Sequence, residues 1–237
     1  MATPPENRIL VPVDVLGGES VPTTIVEAVA SVPIVLLAYH EIPDQTSPEQ
    51  ARTNRGAQAS AELEELREVF ESAGCDVTPR LVFTHDRFET FERVAVTLDC
   101  AAVLVLNPAP KLETMLVAVR GDVTVDRVAR LVATVLEGTE IDVTLLHVTA
   151  GDESSGEALL ETMGRALEEC GVERERIDTQ VVDGKPTGAI LEAAADHDML
   201  VVGESRPSIR RLIFRDRARR IARGSVDPVL VIRGSYQ

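Results

Sequence analysis

Lysine is nearly absent from this sequence. Lys111 and Lys185 are the two lysines among 24 basic residues, and the chain carries 39 acidic residues and a formal net charge of −15. A surface with this excess of carboxylates repels the phosphates of nucleic acids and of anionic membranes. The composition therefore excludes broad electrostatic binding to either, and it is typical of a chain that stays dissolved at high salt.

Cysteines and long apolar runs are also scarce. The three cysteines, Cys75, Cys100 and Cys170, show no C-x-x-C spacing, which favours reduced thiols in a cytoplasmic protein. The longest apolar runs, 34–39 and 100–106, are far shorter than the roughly 20 residues that cross a bilayer. The first residues lack a basic patch followed by an apolar stretch, so we expect neither a signal peptide nor membrane insertion.

Apolar runs alternate with helix-spaced apolar residues along the whole chain. The first half predicts strands at 9–13, 34–39, 77–83 and 101–106, helices at 21–32, 57–73 and 88–98, and a loop at 40–55. After 107–110 the pattern restarts, with strands at 115–119, 141–148, 177–182, 199–202 and 229–232 and helices at 123–136, 157–170 and 188–195. Continuous apolar strands at βαβ spacing predict an α/β fold of two tandem, open, doubly wound parallel-sheet domains. The predicted domains are 1–110, which is abbreviated, and 111–237, which is complete.

The first half of the sequence ends after its fourth strand, whereas the second half has further predicted elements there. Its strand at 199–202 runs into Gly203, an arginine-rich helical segment follows, and Gly224 and Ser225 precede the last strand. A strand, a glycine turn and a helix start together point backbone N–H groups at an anion. This pattern predicts a phosphate or nucleotide site at the carboxyl ends of the parallel strands. The alternatives are a simple tight turn at Gly203 and a helix cap at Gly224.

Arginines make this segment the one basic island of an acidic chain: Arg206, Arg210, Arg211, Arg215, Arg217, Arg219, Arg220 and Arg223. Their guanidinium groups suit a di- or triphosphate. The alternative is a solvated face that pairs with acidic groups of its own domain or of a partner subunit.

Catalytic and metal-binding patterns are missing from the sequence. His40 and His147 are interpreted as equivalent residues at the ends of the second strand of each half, and no third metal ligand stands at useful spacing. No nucleophile is paired with a base. We therefore expect no metal site and no enzyme activity, because an ATPase would need a positioned base for water.

Four sequence features together resemble the universal stress protein family. They are ILVPVD at 9–14, the A-x-x-x-D pattern from Ala194 to Asp198, VVG at 201–203 and GSVDPVLVI at 224–232. The resemblance covers nearly the whole chain as a tandem pair, and the acidic, arginine-rich composition with PSIRRLIF at 207–214 resembles haloarchaeal members. It implies a Rossmann-like fold of the adenine nucleotide alpha hydrolase-like type and a cytoplasmic, non-catalytic role in stress response or regulation.

The resemblance also implies a site for ATP. In the family's ATP-binding branch, a loop of the form G-x2-G-x9-G-(S/T) holds the phosphates and ribose, and an aspartate that ends the first strand recognises the adenosine. On this basis the nucleotide-binding residues are Asp14, Gly203, Arg206, Gly224, Ser225 and Val226. Two departures stand out: Arg206 replaces the second glycine, and the spacer 207–223 is longer than in the family. Asp14 lies in the half that lacks the loop, and Arg120 stands at its place in the other half.

The family's fifth strands pair between subunits. The resemblance therefore implies a homodimer through Val229, Leu230, Val231 and Ile232. The alternative to a nucleotide-binding module is a ligand-free module that works by association with partners, including regulation of a membrane transporter.

Overall fold

The computed structural model describes residues 7–106, 110–119, 125–149, 153–203 and 228–233. The chain divides into two compact units, Met1–Leu106 (unit 1) and Asn107–Gln237 (unit 2). Each unit contains its own parallel sheet and helices. That residues 1–110 are an abbreviated family domain stays a prediction.

Unit 1 contains a parallel sheet of four strands. Its elements are β1 (Ile9–Asp14), α1 (Thr23–Ala28), β2 (Ile34–Glu41), α2 (Pro48–Ser72), β3 (Val77–Thr84), α3 (Arg87–Thr97) and β4 (Ala102–Val105). The strand order is β3-β2-β1-β4. β1, β2 and β4 are buried along most of their lengths, as strands covered on both faces must be.

Unit 2 contains a parallel sheet of five strands. Its elements are β5 (Thr114–Ala118), α4 (Val125–Leu136), β6 (Asp142–Thr149), α5 (Glu153–Glu169), a 3₁₀ turn (Arg174–Arg176), β7 (Ile177–Asp183), α6 (Pro186–Ala194), β8 (Met199–Gly203) and β9 (Val229–Ile232). The strand order is β7-β6-β5-β8-β9. The alternation of helices with strands of a parallel sheet confirms the predicted fold class.

The two units repeat one pairing register. Ile9 of β1 opposes Ile34 of β2, and Met115 of β5 opposes Val143 of β6. With Ile9 aligned to Met115, the pairs β2–β3 and β6–β7 have the same register, and so do the pairs β1–β4 and β5–β8. In this alignment, which follows the repeat of the sequence, each strand position in unit 1 has a defined counterpart in unit 2.

Matching glycines end the long helices of both units. Gly74 follows α2 with φ 98° and Gly171 follows α5 with φ 95°, a left-handed conformation that glycine adopts without steric cost. Counting back from these caps aligns buried Phe70 of α2 with buried Leu167 of α5. The helices therefore follow the same repeat as the strands.

The prediction of a loop over 40–55 was wrong in its second half, because α2 already begins at Pro48. Ser47 caps the helix by accepting a hydrogen bond from the Gln50 amide at 3.2 Å, and proline is favoured at the first helical position. Ala51 is buried. Polar residues that are typical of a loop are here the capping residues and first turns of a helix.

One residue distinguishes the central strand pairs of the two units. β1 pairs with β4 only as far as Leu10 and Val103, whereas β5 pairs with β8 as far as Ala118 and Val202. Pro12 occupies the place in β1 that Ala118 occupies in β5, on the strand edge that faces β4, and it has no N–H to donate. Pro12 therefore explains why β1 and β4 do not pair with each other beyond Leu10 and Val103.

Candidate functional site

The strand order of unit 2 reverses between β5 and β8. From β5 the chain continues through α4 to β6 on one side, and β8 pairs with the other side of β5. In open α/β sheets, ligands bind outside the carboxyl ends of the strands at such a switch point. The candidate crevice is therefore the space beyond Ala118 and Gly203.

A pocket lies at this switch point. The carboxyl ends of β5 and β8 form one wall, through Val117, Val119 and Gly203 among others, and α4 and Met163 of α5 form the rest. Its empty volume is about 260 Å³, including space open to solvent. The lining side chains are all apolar, which suits a flat aromatic base rather than a charged group.

The remaining predicted phosphate-binding residues lie outside the part of the chain that the structure describes. These are Arg206, Gly224, Ser225 and Val226, together with the rest of the arginine cluster. Gly203 itself closes β8 and opposes Ile232 of β9. The structure thus places Gly203 in the wall of the crevice, and the phosphate site stays a prediction.

Asp14 ends β1 in unit 1, where its carboxylate is already engaged. Oδ1 accepts hydrogen bonds from the Gly17 amide at 3.0 Å and from His40 Nδ1 at 3.1 Å. A Cβ on Gly17 would lie 2.6 Å from Oδ2 of Asp14, so the turn requires glycine. A ligand of Asp14 would have to share this carboxylate with two internal donors.

Glu19 completes the polar cluster at the end of β1. Its Oε2 accepts the Asp14 amide at 2.8 Å. Burial, followed by the charge of Glu19, raises the pKa of Tyr39 above its usual value, and Asp14 adds to this while Arg87 opposes it. Among the described residues, Nε of Arg87 is buried without a hydrogen-bond partner, and its nearest carboxylate oxygen in an ion pair is Oε2 of Glu41 at 3.9 Å.

The equivalence of the two histidines stays a prediction, but their contacts differ. With Ile9 aligned to Met115, the strand pairing matches His147 with Ala38. Nδ1 of His147 donates to the carbonyl of Val119 at 3.0 Å, whereas His40 contacts the Asp14 carboxylate. Each histidine therefore has a separate role.

The three thiols differ in exposure. Cys75 and Cys100 are buried, Cys170 is exposed, and none of the three is in a disulfide bond. Burial raises the pKa of the Cys75 thiol to about 11, which keeps it protonated and unreactive at neutral pH. In the described ranges, no three His, Cys, Asp or Glu side chains lie close enough together to hold a metal ion.

The family model of the universal stress protein family matches residues 111–233, which is more than half of the chain. The chain belongs to the universal stress protein family. A solved universal stress protein from Archaeoglobus fulgidus DSM 4304 is similar in fold along almost the entire length. It is 15% identical, the match covers 96% of each chain, and the TM-score is 0.61.

Two further universal stress protein structures match about half of the chain. One, in complex with cAMP, is 20% identical with a TM-score of 0.40, covering 51% of this chain and 95% of the other. The second, from Archaeoglobus fulgidus in complex with dAMP, is 21% identical with a TM-score of 0.38, covering 51% and 97%. Likenesses this distant give no evidence on ligands of the present chain. No curated protein matches the sequence.

The helical walls of the crevice in unit 2 were not predicted from the sequence. Val125 and Val128 of α4 and Met163 of α5 line the pocket, but in the sequence they belong to ordinary amphipathic helices. Their positions on the apolar faces of these helices predict that the side chains are buried, but do not predict which strand ends the helices cover. No described helix has the length and apolar composition needed to cross a bilayer.

Proposed function

We propose that this universal stress protein is a cytoplasmic, non-catalytic stress-response or regulatory module that binds ATP or a related adenine nucleotide in the crevice of unit 2. The observation that carries the proposal is the apolar pocket at the carboxyl ends of β5 and β8, with Gly203 in its wall. Membership of the family supports it.

The volume of the pocket limits what it could hold. Its empty volume of about 260 Å³ includes space open to solvent and lies below the roughly 300–1,000 Å³ of ligand pockets, so we propose that it contacts only the base and not a complete triphosphate. The phosphates would lie beyond Gly203, where Arg206, Gly224, Ser225 and Val226 follow in the sequence. Backbone N–H groups and guanidinium groups are the donors that phosphate oxygens prefer.

The chemistry of the walls supports a binding role. Valine, alanine, methionine and glycine line the pocket, and none of these side chains takes a proton from water. Hydrolysis of ATP requires a group that orients or deprotonates the attacking water. We therefore infer binding without turnover.

Calorimetry with ATP, ADP and AMP in molar KCl tests the proposal. We expect wild type to bind ATP and Gly203→Val to bind it at least about tenfold more weakly, because the new side chain enters the pocket. Gly188→Val is the matched control, since Gly188 is exposed on α6 and has open space around it.

Two results would contradict the proposal. No detectable ATP binding by wild type would exclude the nucleotide function. Equal ATP affinity of wild type and Gly203→Val would move the site away from this crevice.

The alternative function is a ligand-free interaction module that forms a homodimer through Val229, Leu230, Val231 and Ile232. The side chains of β9 are each at most 4% exposed.

A further inference from the structure

His147 contacts the end of β5 through its ring. Nδ1 lies 3.0 Å from the carbonyl oxygen of Val119. A carbonyl only accepts, so Nδ1 carries the hydrogen. The register of β5 with β6 ends at Ala118 and Leu146, and the Val119 amide donates to Leu146 at 2.8 Å. The ring of His147 therefore adds one hydrogen bond between β6 and the chain just beyond the end of β5.

Gly156 is shaped to this ring. It is buried in the first turn of α5, and glycine within a helix costs up to about 1 kcal/mol relative to alanine. A Cβ at Gly156 would lie 2.7 Å from Cδ2 of His147 and 3.4 Å from Val181. The glycine thus leaves the space that the imidazole fills.

Unit 1 provides an internal comparison for this pair. With Ile9 aligned to Met115, the strand register matches His147 with Ala38, and the helix caps at Gly74 and Gly171 match Gly156 with Ala59. Both alanines are fully buried. Where the strand carries alanine the helix carries alanine, and where the strand carries histidine the helix carries glycine.

The contact bears directly on the crevice, because Val119 lines its pocket. We infer that His147, seated by Gly156, is a positioning residue that fixes the Val119 peptide at the rim of the crevice and so sets the affinity for the nucleotide base. This inference rests on the proposed function for its ligand. The contact between the ring and the carbonyl is tested without any ligand.

The first experiment observes the ring by ¹⁵N NMR of the full-length protein, with the His147 signal assigned through its loss in His147→Gln. We expect the tautomer with hydrogen on Nδ1 in wild type and in Gly164→Ala, and a changed signal in Gly156→Ala. Gly164 is the matched control because it lies in the same helix and its Cβ would meet nothing within 4 Å. An unchanged His147 signal in Gly156→Ala would overturn the inference.

The second experiment compares melting temperatures. Gly164→Ala should raise the melting temperature by about 2–4 °C, as expected for the removal of a helical glycine in a chain of this size. Gly156→Ala should give no increase, since its methyl group displaces the ring. Equal increases for the two variants would contradict the role of Gly156.

The third experiment measures ATP affinity by calorimetry. His147→Gln should weaken binding about three- to tenfold, the range of one hydrogen bond. His147→Asn should restore it, because the asparagine amide nitrogen replaces Nδ1. Equal affinities for wild type and both variants would refute the positioning role. If wild type binds no ATP, the proposed function fails, and the NMR result still decides whether His147 is seated by Gly156.

Discussion

Asp198 joins the amino ends of β5 and β8 through one carboxylate oxygen. Oδ2 accepts hydrogen bonds from the Glu113 amide at 2.9 Å and from the amide and hydroxyl of Thr114, both at 3.0 Å. Lys111 Nζ lies 3.7 Å from the other oxygen. Burial opposes ionisation, but these hydrogen bonds and the lysine charge outweigh it and lower the pKa of Asp198 below its usual 3.8.

We predict that Asp198→Asn lowers the free energy of unfolding by about 1.5–3 kcal/mol at pH 7, the range for hydrogen bonds to a charged group. A lowered pKa in the folded state gives stability that is complete above the unfolded value and is lost as the pH falls through the folded pKa. The difference between variant and wild type should therefore shrink below pH 3.8. Urea unfolding at several pH values measures it.

Asp196→Asn is the control for this prediction, since Asp196 is exposed two residues earlier and its removal should have little effect. A loss of stability in Asp198→Asn that stayed constant down to pH 2 would contradict the role of the charge.

The sequence predicted positions better than contacts at the residue scale. Asp14 was placed correctly at the end of the first strand, and Gly203 at the end of β8. The hydrogen bonds of Asp14 to His40 and Gly17 were not predicted, because such contacts depend on the strand register and the turn geometry. The same holds for the hydrogen bonds of Asp198 to residues far away in the chain. The different contacts of His40 and His147 also depend on what lies at the ends of the neighbouring strands.

At the scale of strands, Pro12 and Ala118 determine how far the central pairs extend. We predict that Ala118→Pro shortens the β5–β8 ladder and lowers the free energy of unfolding by roughly 1–3 kcal/mol, because a buried carbonyl of β8 loses its donor. Denaturant unfolding followed by circular dichroism measures the change. The reciprocal variant, Pro12→Ala, adds a donor in unit 1 and should not destabilise. Identical unfolding curves for Ala118→Pro and wild type would refute this account.

Helices and strands were predicted largely correctly because the central strands are continuous buried apolar runs and the helices have helix-spaced apolar residues. The start of α2 was missed because Ser47, Pro48 and Glu49 are typical both of loops and of helix starts. The walls of the pocket were missed because the packing of α4 and α5 over particular strand ends is set by the tertiary fold. The segment from Arg206 to Val226 remains a sequence prediction.

At the scale of the whole molecule, the alternative function predicts a particle mass of twice the 25.7 kDa of one chain. The proposed homodimer through residues 229–232 would produce it. Size-exclusion chromatography with light scattering in molar KCl, over a range of concentrations, measures the mass. A mass of 25.7 kDa at all concentrations would exclude the homodimer, while leaving the nucleotide proposal in place.

The repeated register of the two sheets has a consequence for the newly made chain. Two halves with interchangeable spacing are able to mispair during folding, with β1 entering the place of β5 beside β8, a characteristic failure of tandem repeats. Pro12 works against that error, since it would leave a carbonyl of β8 without a donor. The same proline that shortens one ladder thus helps each half to select its own strands.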